Sequence, residues 1–296
     1  MHAWEEAHGR YEQLFDTHPQ AIACDMHPEY LASKWAREYA RKHDLPLIEV
    51  QHHHAHIASV LGENKLQGPV IGIALDGTGY GTDGTIWGGE ILITARHDFE
   101  RFWHLPSFPL PGGAAAILNP ERTAYALLKV YGELDDPFFG QFFTSFLERL
   151  ENRTLLDQMI DKGLNTPVCS SAGRLFDSVS ALLDICTHPG YDGEAACLLE
   201  TAAWREHDDT HPLTARTFHE GLINAIIEQT LRARNETGID DVALSGGCMV
   251  NRILFSQLRE RLGDLGFTVY INRELPPNDG CISYGQAIVA CARLEE

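Results

Sequence analysis

The residues best suited to chemistry are Gln51-His52-His53-His54-Ala55-His56. On a helix, His52 and His56 fall one turn apart on one face, and two imidazoles at that spacing can hold one metal ion. His53 and His54 then point elsewhere, as supporting or simply polar groups. No glutamate accompanies the pair, so this is not an HExxH metalloprotease. A metal needs further ligands. Asp76 follows the apolar run Val70 to Leu75 and enters a glycine-rich turn. Asp279 follows Pro276-Pro277-Asn278 and precedes Gly280 at a helix start, where, taken alone, an ordinary N-cap role is the favoured reading. Both sit at element ends, where α/β sheets gather functional groups. Two imidazoles and two carboxylates suit iron, zinc or manganese, and ligand type alone does not choose among them.

Glycine-rich turns form a second group. Asp76-Gly77-Thr78-Gly79-Tyr80-Gly81 reads as a turn between strands whose bare amides can cradle phosphate. Ser245-Gly246-Gly247 lies between a strand and a helix carrying Asn251, where a base or ribose can approach the backbone at the positive helix end. Neither is a Walker A loop or a dinucleotide fingerprint. In a third segment, Gly173 opens a helix and Asp177 lies one turn further on, placed to accept ribose hydroxyls. Glu194, after Gly193, can do the same. Taken singly, each turn is also an ordinary tight connection, and each carboxylate is also an ordinary surface charge.

The elements that must position these residues follow from periodicity. Leu31, Trp35 and Tyr39 recur every four residues in a helix over Glu29 to His43, followed by a strand from Leu45 to Val50 and the histidine helix from His52 to Leu61. Pro69 to Leu75 reads as a buried strand, with Thr85 to Ala95 as its hairpin partner and Gly88-Gly89 as a bulge. The middle is helical: Arg122 to Tyr131, Leu155 to Lys162, Leu175 to Cys186, Ala195 to Glu206 and Phe218 to Arg234. Strand and helix alternate again at Val242 to Ser245, Met249 to Leu262, Thr268 to Asn272 and Ile282 to Leu294. This order predicts an α/β protein of two lobes, residues 1–120 and 121–296, with a parallel or mixed sheet in each.

Composition narrows the class. With 23 basic and 42 acidic residues, the chain carries a net charge of −19, which argues against a nucleic-acid partner. No apolar run is long enough for a membrane span, and no secretory signal opens the sequence. Seven cysteines, an odd number without a Cys-x-x-Cys pair, fit small buried thiols in the reducing cytoplasm.

Taken in order, IACDMHPEYLAS, VQHHHAHIASVLGEN, GIALDGTGYGTDGTIWGGE, PLPGG, SSAGRLFDSVSALL, YDGEAACLLE, ALSGGCMVNRIL and PPNDGCISYGQA resemble the C-terminal transferase domain of the HypF hydrogenase-maturation carbamoyltransferases. The tRNA threonylcarbamoyl transferases and O-carbamoyltransferases are wider relatives. The resemblance implies an actin/Hsp70/sugar-kinase-like two-lobed fold. It makes His52, His56, Asp76 and Asp279 the ligands of one divalent metal, iron or zinc. It gives Gly77, Thr78, Gly79, Gly173, Asp177, Gly193, Glu194, Gly246, Gly247 and Asn251 to a bound nucleotide, ATP, AMP or carbamoyl-adenylate. The implied reaction moves a carbamoyl group from carbamoyl-adenylate to the C-terminal cysteine thiol of a HypE-type partner, on the way to the cyanide ligands of nickel–iron hydrogenase. An upstream adenylate-forming domain, in cis or in trans, would supply the adenylate. Two departures bear on this reading. The first lobe is expected to lack N-terminal strands, and Ala114 and Leu118 stand where the family pattern has an aspartate and a basic residue. Alternatives are a metal- and nucleotide-binding module without turnover, and a tRNA threonylcarbamoyl transferase.

Overall fold

The computed structural model describes residues 2–132, 140–205 and 213–295; Met1 and Glu206, the expected end of one helix, lie outside them. The chain begins with α1 (His2–Phe15), β1 (Ile22–Asp25), α2 (Leu31–His43), β2 (Leu47–Val50) and α3 (His52–Glu63). Next come β3 (Val70–Tyr80), β4 (Ile86–Thr94), β5 (Phe99–His104), β6 (Phe108–Pro109), α4 (Ala114–Leu118) and α5 (Pro120–Tyr131). The middle holds α6 (Thr144–Arg149), α7 (Arg153–Lys162), β7 (Val168–Cys169), α8 (Ala172–Leu182), α9 (Glu194–Arg205) and α10 (Ala215–Thr237). The chain closes with β8 (Asp241–Ser245), α11 (Arg252–Asp264), β9 (Thr268–Ile271) and α12 (Ile282–Leu294).

The alternation read from the sequence is present, and α1 is an addition to it. Tyr11, Leu14 and Phe15 on α1 are exposed, so no buried stripe marks this helix in the sequence. β1 and β2 pair in parallel as a small sheet. The other strands among the described residues form one seven-stranded mixed sheet, with β6-β7-β4-β3-β8-β9 in order and β5 on β4. The expected partition at residue 120 therefore does not separate two sheets. Strands before it (β3 to β6) and after it (β7 to β9) share the larger one, because β3 finds parallel partners in β8 rather than in β1.

Period-two alternation in β3 splits the core. Ile71, Ile73 and Leu75 join Phe176, Val179, Leu222, Ile226 and Leu258 on one face. Val70 and Ala74 join Ile57, Val60, Leu61 and Trp87 on the other. Helix α3 thus lies against the large sheet on one side and against α12 and Val50 on the other. That explains why it is buried all round: every residue from His52 to Leu61 is buried.

One expectation needs correction. The glycine-rich stretch after Leu75 is not a turn. β3 continues to Tyr80, paired antiparallel with β4, and the reversal falls at Gly81 to Thr85. The irregularity lies where Leu75 opposes Gly89 and Gly79 opposes Trp87, so Asp76, Gly77 and Thr78 face Gly88 alone. Bulges of this kind re-aim side chains beside functional sites.

Candidate metal and nucleotide site

Three segments, α3, β3 and the turn at Asp279, deliver four donor atoms to one point. Gln51 caps α3 by accepting the His54 N–H at 2.9 Å, which starts the helix where His52 and His56 share a face. The β3 bulge, just beyond the last parallel pair Ala74–Ser245, turns Asp76 onto both rings. Its Oδ2 lies 3.2 Å from His52 Nε2 and 3.0 Å from His56 Nε2, while Oδ1 accepts the N–H groups of Gly77 at 2.8 Å and Gly247 at 3.1 Å. Asp279 Oδ1 stands 3.6 Å from the Nε2 of each histidine. One donor atom from each of the four residues lies within 4.8 Å of the others.

The N-cap role that could have explained Asp279 belongs to Asn278, whose side chain accepts the Gly280 N–H at 3.1 Å. Asp279 is left with a side chain 75% exposed yet turned to the buried histidines. Its loop is held by Glu63 at the end of α3. That carboxylate accepts the N–H groups of Arg273 at 2.7 Å, Glu274 at 3.2 Å and Leu275 at 3.0 Å. Burial opposes its charge, but these donors hold its pKa below the usual range. His53 and His54 do point away, toward Gln51 and the Ala95 carbonyl respectively.

Charge in the cluster is strongly coupled. Burial disfavours the cationic form of His52, yet contacts with Asp25, Asp279 and Asp76 hold its pKa well above the ordinary value. His56 is likewise raised, to about 10, by Asp279 and Asp76 against the effect of burial. Asp76 sits well below its usual range because both histidines outweigh its burial. Hydrogen bonds to His52 and His56 also hold Asp279 low. The imidazole N–H groups lie against carboxylates here, and a divalent ion entering such a set would displace their protons.

The cluster opens into a cleft of about 510 Å³, lined by Asp76, Gly77, Thr78, Gly173, Asp177, Gly193, Gly247, Asn251 and Asp279 among others. Three residues of the sequence-derived nucleotide set do not line it. Gly79 packs on the histidine helix, where a Cβ would strike His53 and lie 3.0 Å from His52. Gly246 turns the backbone at φ +104°, against the Leu75 carbonyl. Glu194 accepts the Gly190 N–H. Asn251 caps α11 through Leu254 N–H at 2.9 Å and contacts His219 at 3.0 Å, so its polar atoms are already engaged. Burial and Asp192 push the Asp177 carboxyl up to about 6, against the opposing pull of Arg174 at 3.0 Å. Ala114 and Leu118 are not among the cleft-lining residues.

Sequence reading missed Arg174, which lies in the cleft wall with its Nε buried and unpartnered. It also missed Asp25, 3.0 Å from His52 Nδ1. Only the DMHPEY segment itself hinted at Asp25. Cysteines are all unpaired, but Cys197 and Cys291 are exposed rather than buried. No helix among the described residues is long and apolar enough to cross a membrane.

Residues 1–63 match the profile described as the HypF Kae1-like domain. Residues 72–214 and 205–286 match the one described as carbamoyltransferase, Kae1-like domain, second subdomain. The carbamoyltransferase HypF of Rhodobacter capsulatus is 38% identical over 99% of this chain and 42% of its own length. A HypF homolog of Cupriavidus necator is 33% identical over 94% of this chain and 80% of its own length. A crystal structure of full-length HypF in its phosphate- and nucleotide-bound form superposes with a TM-score of 0.89, at 37% identity, over 99% of this chain and 50% of that one. The α/β, actin/Hsp70-like architecture implied by the motifs is therefore present, and the chain spans less than half of the full-length HypF of Rhodobacter capsulatus. This chain belongs to the HypF carbamoyltransferase family.

Proposed function

We propose that this chain performs the carbamoyl-transfer step of hydrogenase maturation, passing a carbamoyl group from carbamoyl-adenylate to the C-terminal cysteine thiol of a HypE-type partner. The supporting observation is that the four-donor cluster and Gly77, Gly173, Gly193 and Gly247 border one cleft, with Asp76 and Asp279 common to both. His52, His56, Asp76 and Asp279 fit a divalent ion, iron or zinc, by donor chemistry and convergence. Such an ion, when bound, would polarise the carbamoyl carbonyl and favour departure of the phosphate oxygen.

The protein's own part is placement. Gly77 and Thr78 present backbone to the phosphate side, Gly173, Gly193 and Gly247 let the nucleotide approach closely, and Asp177 receives ribose hydroxyls. Gly79, Glu194, Gly246 and Asn251 shape the walls behind these contacts. The thiol sulfur attacks the carbamoyl carbon. A C–S bond forms, the C–O bond to the phosphate breaks, AMP leaves with the electron pair, and the thiol proton passes to solvent. Because the nucleophile comes from the partner, none of the cysteines here is needed for the chemistry. The net charge of −19 favours a protein acceptor over tRNA. An upstream adenylate-forming domain would supply the donor.

The metal-loaded protein should release AMP from carbamoyl-adenylate only when a partner ending in cysteine is added. Nucleotide binding without AMP release would instead identify a non-catalytic module. Asp177→Ala should weaken AMP binding by about 1–2 kcal/mol, the scale of a lost hydrogen bond to a charged group. Unchanged affinity by calorimetry would remove Asp177 from the site.

A further inference from the structure

The two histidines of the cluster are supported unequally. Among the described residues, His56 Nδ1 faces the Ser245 hydroxyl and the Cys281 sulfur, both at 3.4 Å. His52 Nδ1 lies 3.0 Å from Asp25 Oδ2, a carboxylate only 9% exposed at the end of β1. The other oxygen, Oδ1, accepts the His27 N–H at 2.7 Å, and the Asp25 carbonyl accepts the Ser33 hydroxyl at 2.8 Å. Next along the loop, Tyr30 stacks on His27 with ring centroids 4.0 Å apart.

A carboxylate can only accept, so His52 must donate from Nδ1. Nε2 is then the atom that faces Asp76 and Asp279, the orientation a metal ligand needs once an ion displaces its proton, and the Nδ1–H bond makes the ring a stronger donor. We propose that Asp25 is a positioning residue of the metal centre: it sets the tautomer and ring orientation of His52, and it ties the loop from His27 to Tyr30 to that centre. This rests on the metal-site reading of the cluster.

The chemistry requires both carboxylate oxygens. Two donors, His52 Nδ1–H and His27 N–H, meet two acceptors. Asparagine keeps the shape but offers one acceptor and adds an N–H₂ group. It must therefore either leave the His27 N–H unpaired or present a donor to His52, forcing the wrong tautomer. Ser33 supports the same loop without touching His52, so it separates loop packing from the carboxylate's own effect.

The test is the affinity of the full chain for cobalt(II), by competition with a chromophoric chelator, with the cobalt visible spectrum recorded alongside. Asp25→Ala is expected to bind about 10–100-fold more weakly than the parent, with an altered spectrum, and Asp25→Asn about 10-fold more weakly. Ser33→Ala should retain the parent affinity and spectrum. If Asp25→Ala misfolds, Asp25→Asn decides. Parental affinity and spectrum in Asp25→Asn, or an equal loss in Ser33→Ala, would overturn the assignment of Asp25. A parent chain that takes up no cobalt would overturn the metal-site reading beneath it.

Discussion

Replacing His52 and His56 together by alanine should reduce the metal content from about one ion per chain to background. The two rings supply both nitrogen donors, and what remains is buried Asp76 and exposed Asp279, a pair with too few ligands to compete with water. The same change has a structural cost. Asp76 is 6% exposed and its Oδ2 is within 3.2 Å of both rings, so their loss strips a buried charge of its cationic partners and leaves it the Gly77 and Gly247 N–H groups. Removing one side of such a pair typically costs about 3–5 kcal/mol. Elemental analysis of the folded fraction, with circular dichroism on the same sample, separates lost ligands from lost fold. Exchanging the histidines for asparagine keeps a polar partner near Asp76 and should preserve more stability while still losing the ion. Stoichiometric metal in either double variant would sink the ligand assignment.

Glu90→Ala should be the most damaging single change on the far side of β4. Glu90 is fully buried, and its Oε1 accepts Gly88 N–H at 3.0 Å, Gly89 N–H at 3.2 Å and the Ser170 hydroxyl at 2.6 Å. Its Oε2 accepts Arg101 Nε at 2.7 Å, and that guanidinium lies 3.9 Å over the Trp87 ring. Alanine would strand two backbone donors and leave the largely buried Arg101 with Asp83 and Ser170 alone, costing about 3–5 kcal/mol. Gly88 is the residue opposite the Asp76–Thr78 bulge, where an added Cβ would come within 2.6 Å of the Asp76 carbonyl. Loosening it should therefore weaken metal retention as well as stability. Urea unfolding of the variant measures the first effect, and glutamine at the same position, with one acceptor kept, should lose less. A change under about 1 kcal/mol for alanine would mean that solvent replaces the network without penalty.

The sequence by itself determined the parts whose logic is local. Two histidines one turn apart follow from helical geometry, and His52 and His56 do converge as that spacing requires. Strand–glycine–helix at Ser245 and the alternation at both ends of the chain were legible because each depends on neighbouring residues alone. Where local and distant preferences competed, the local reading failed. Glycines are poor strand formers, so the stretch after Leu75 looked like a turn, yet the ladder with β4 carries it to Tyr80. Only the tertiary structure decided which strands share a sheet, since β3 chooses β8 over nearer candidates. It alone revealed the supporting carboxylates: Asp25 reaches His52, Glu63 reaches residues 273–275, and Glu90 reaches Ser170. A carboxylate leaves no periodic trace of the partner it will meet, because its role is set by burial and by donors from distant segments. Asp279 shows the same limit: a cap and a ligand are identical in sequence, and the fold gave the cap to Asn278.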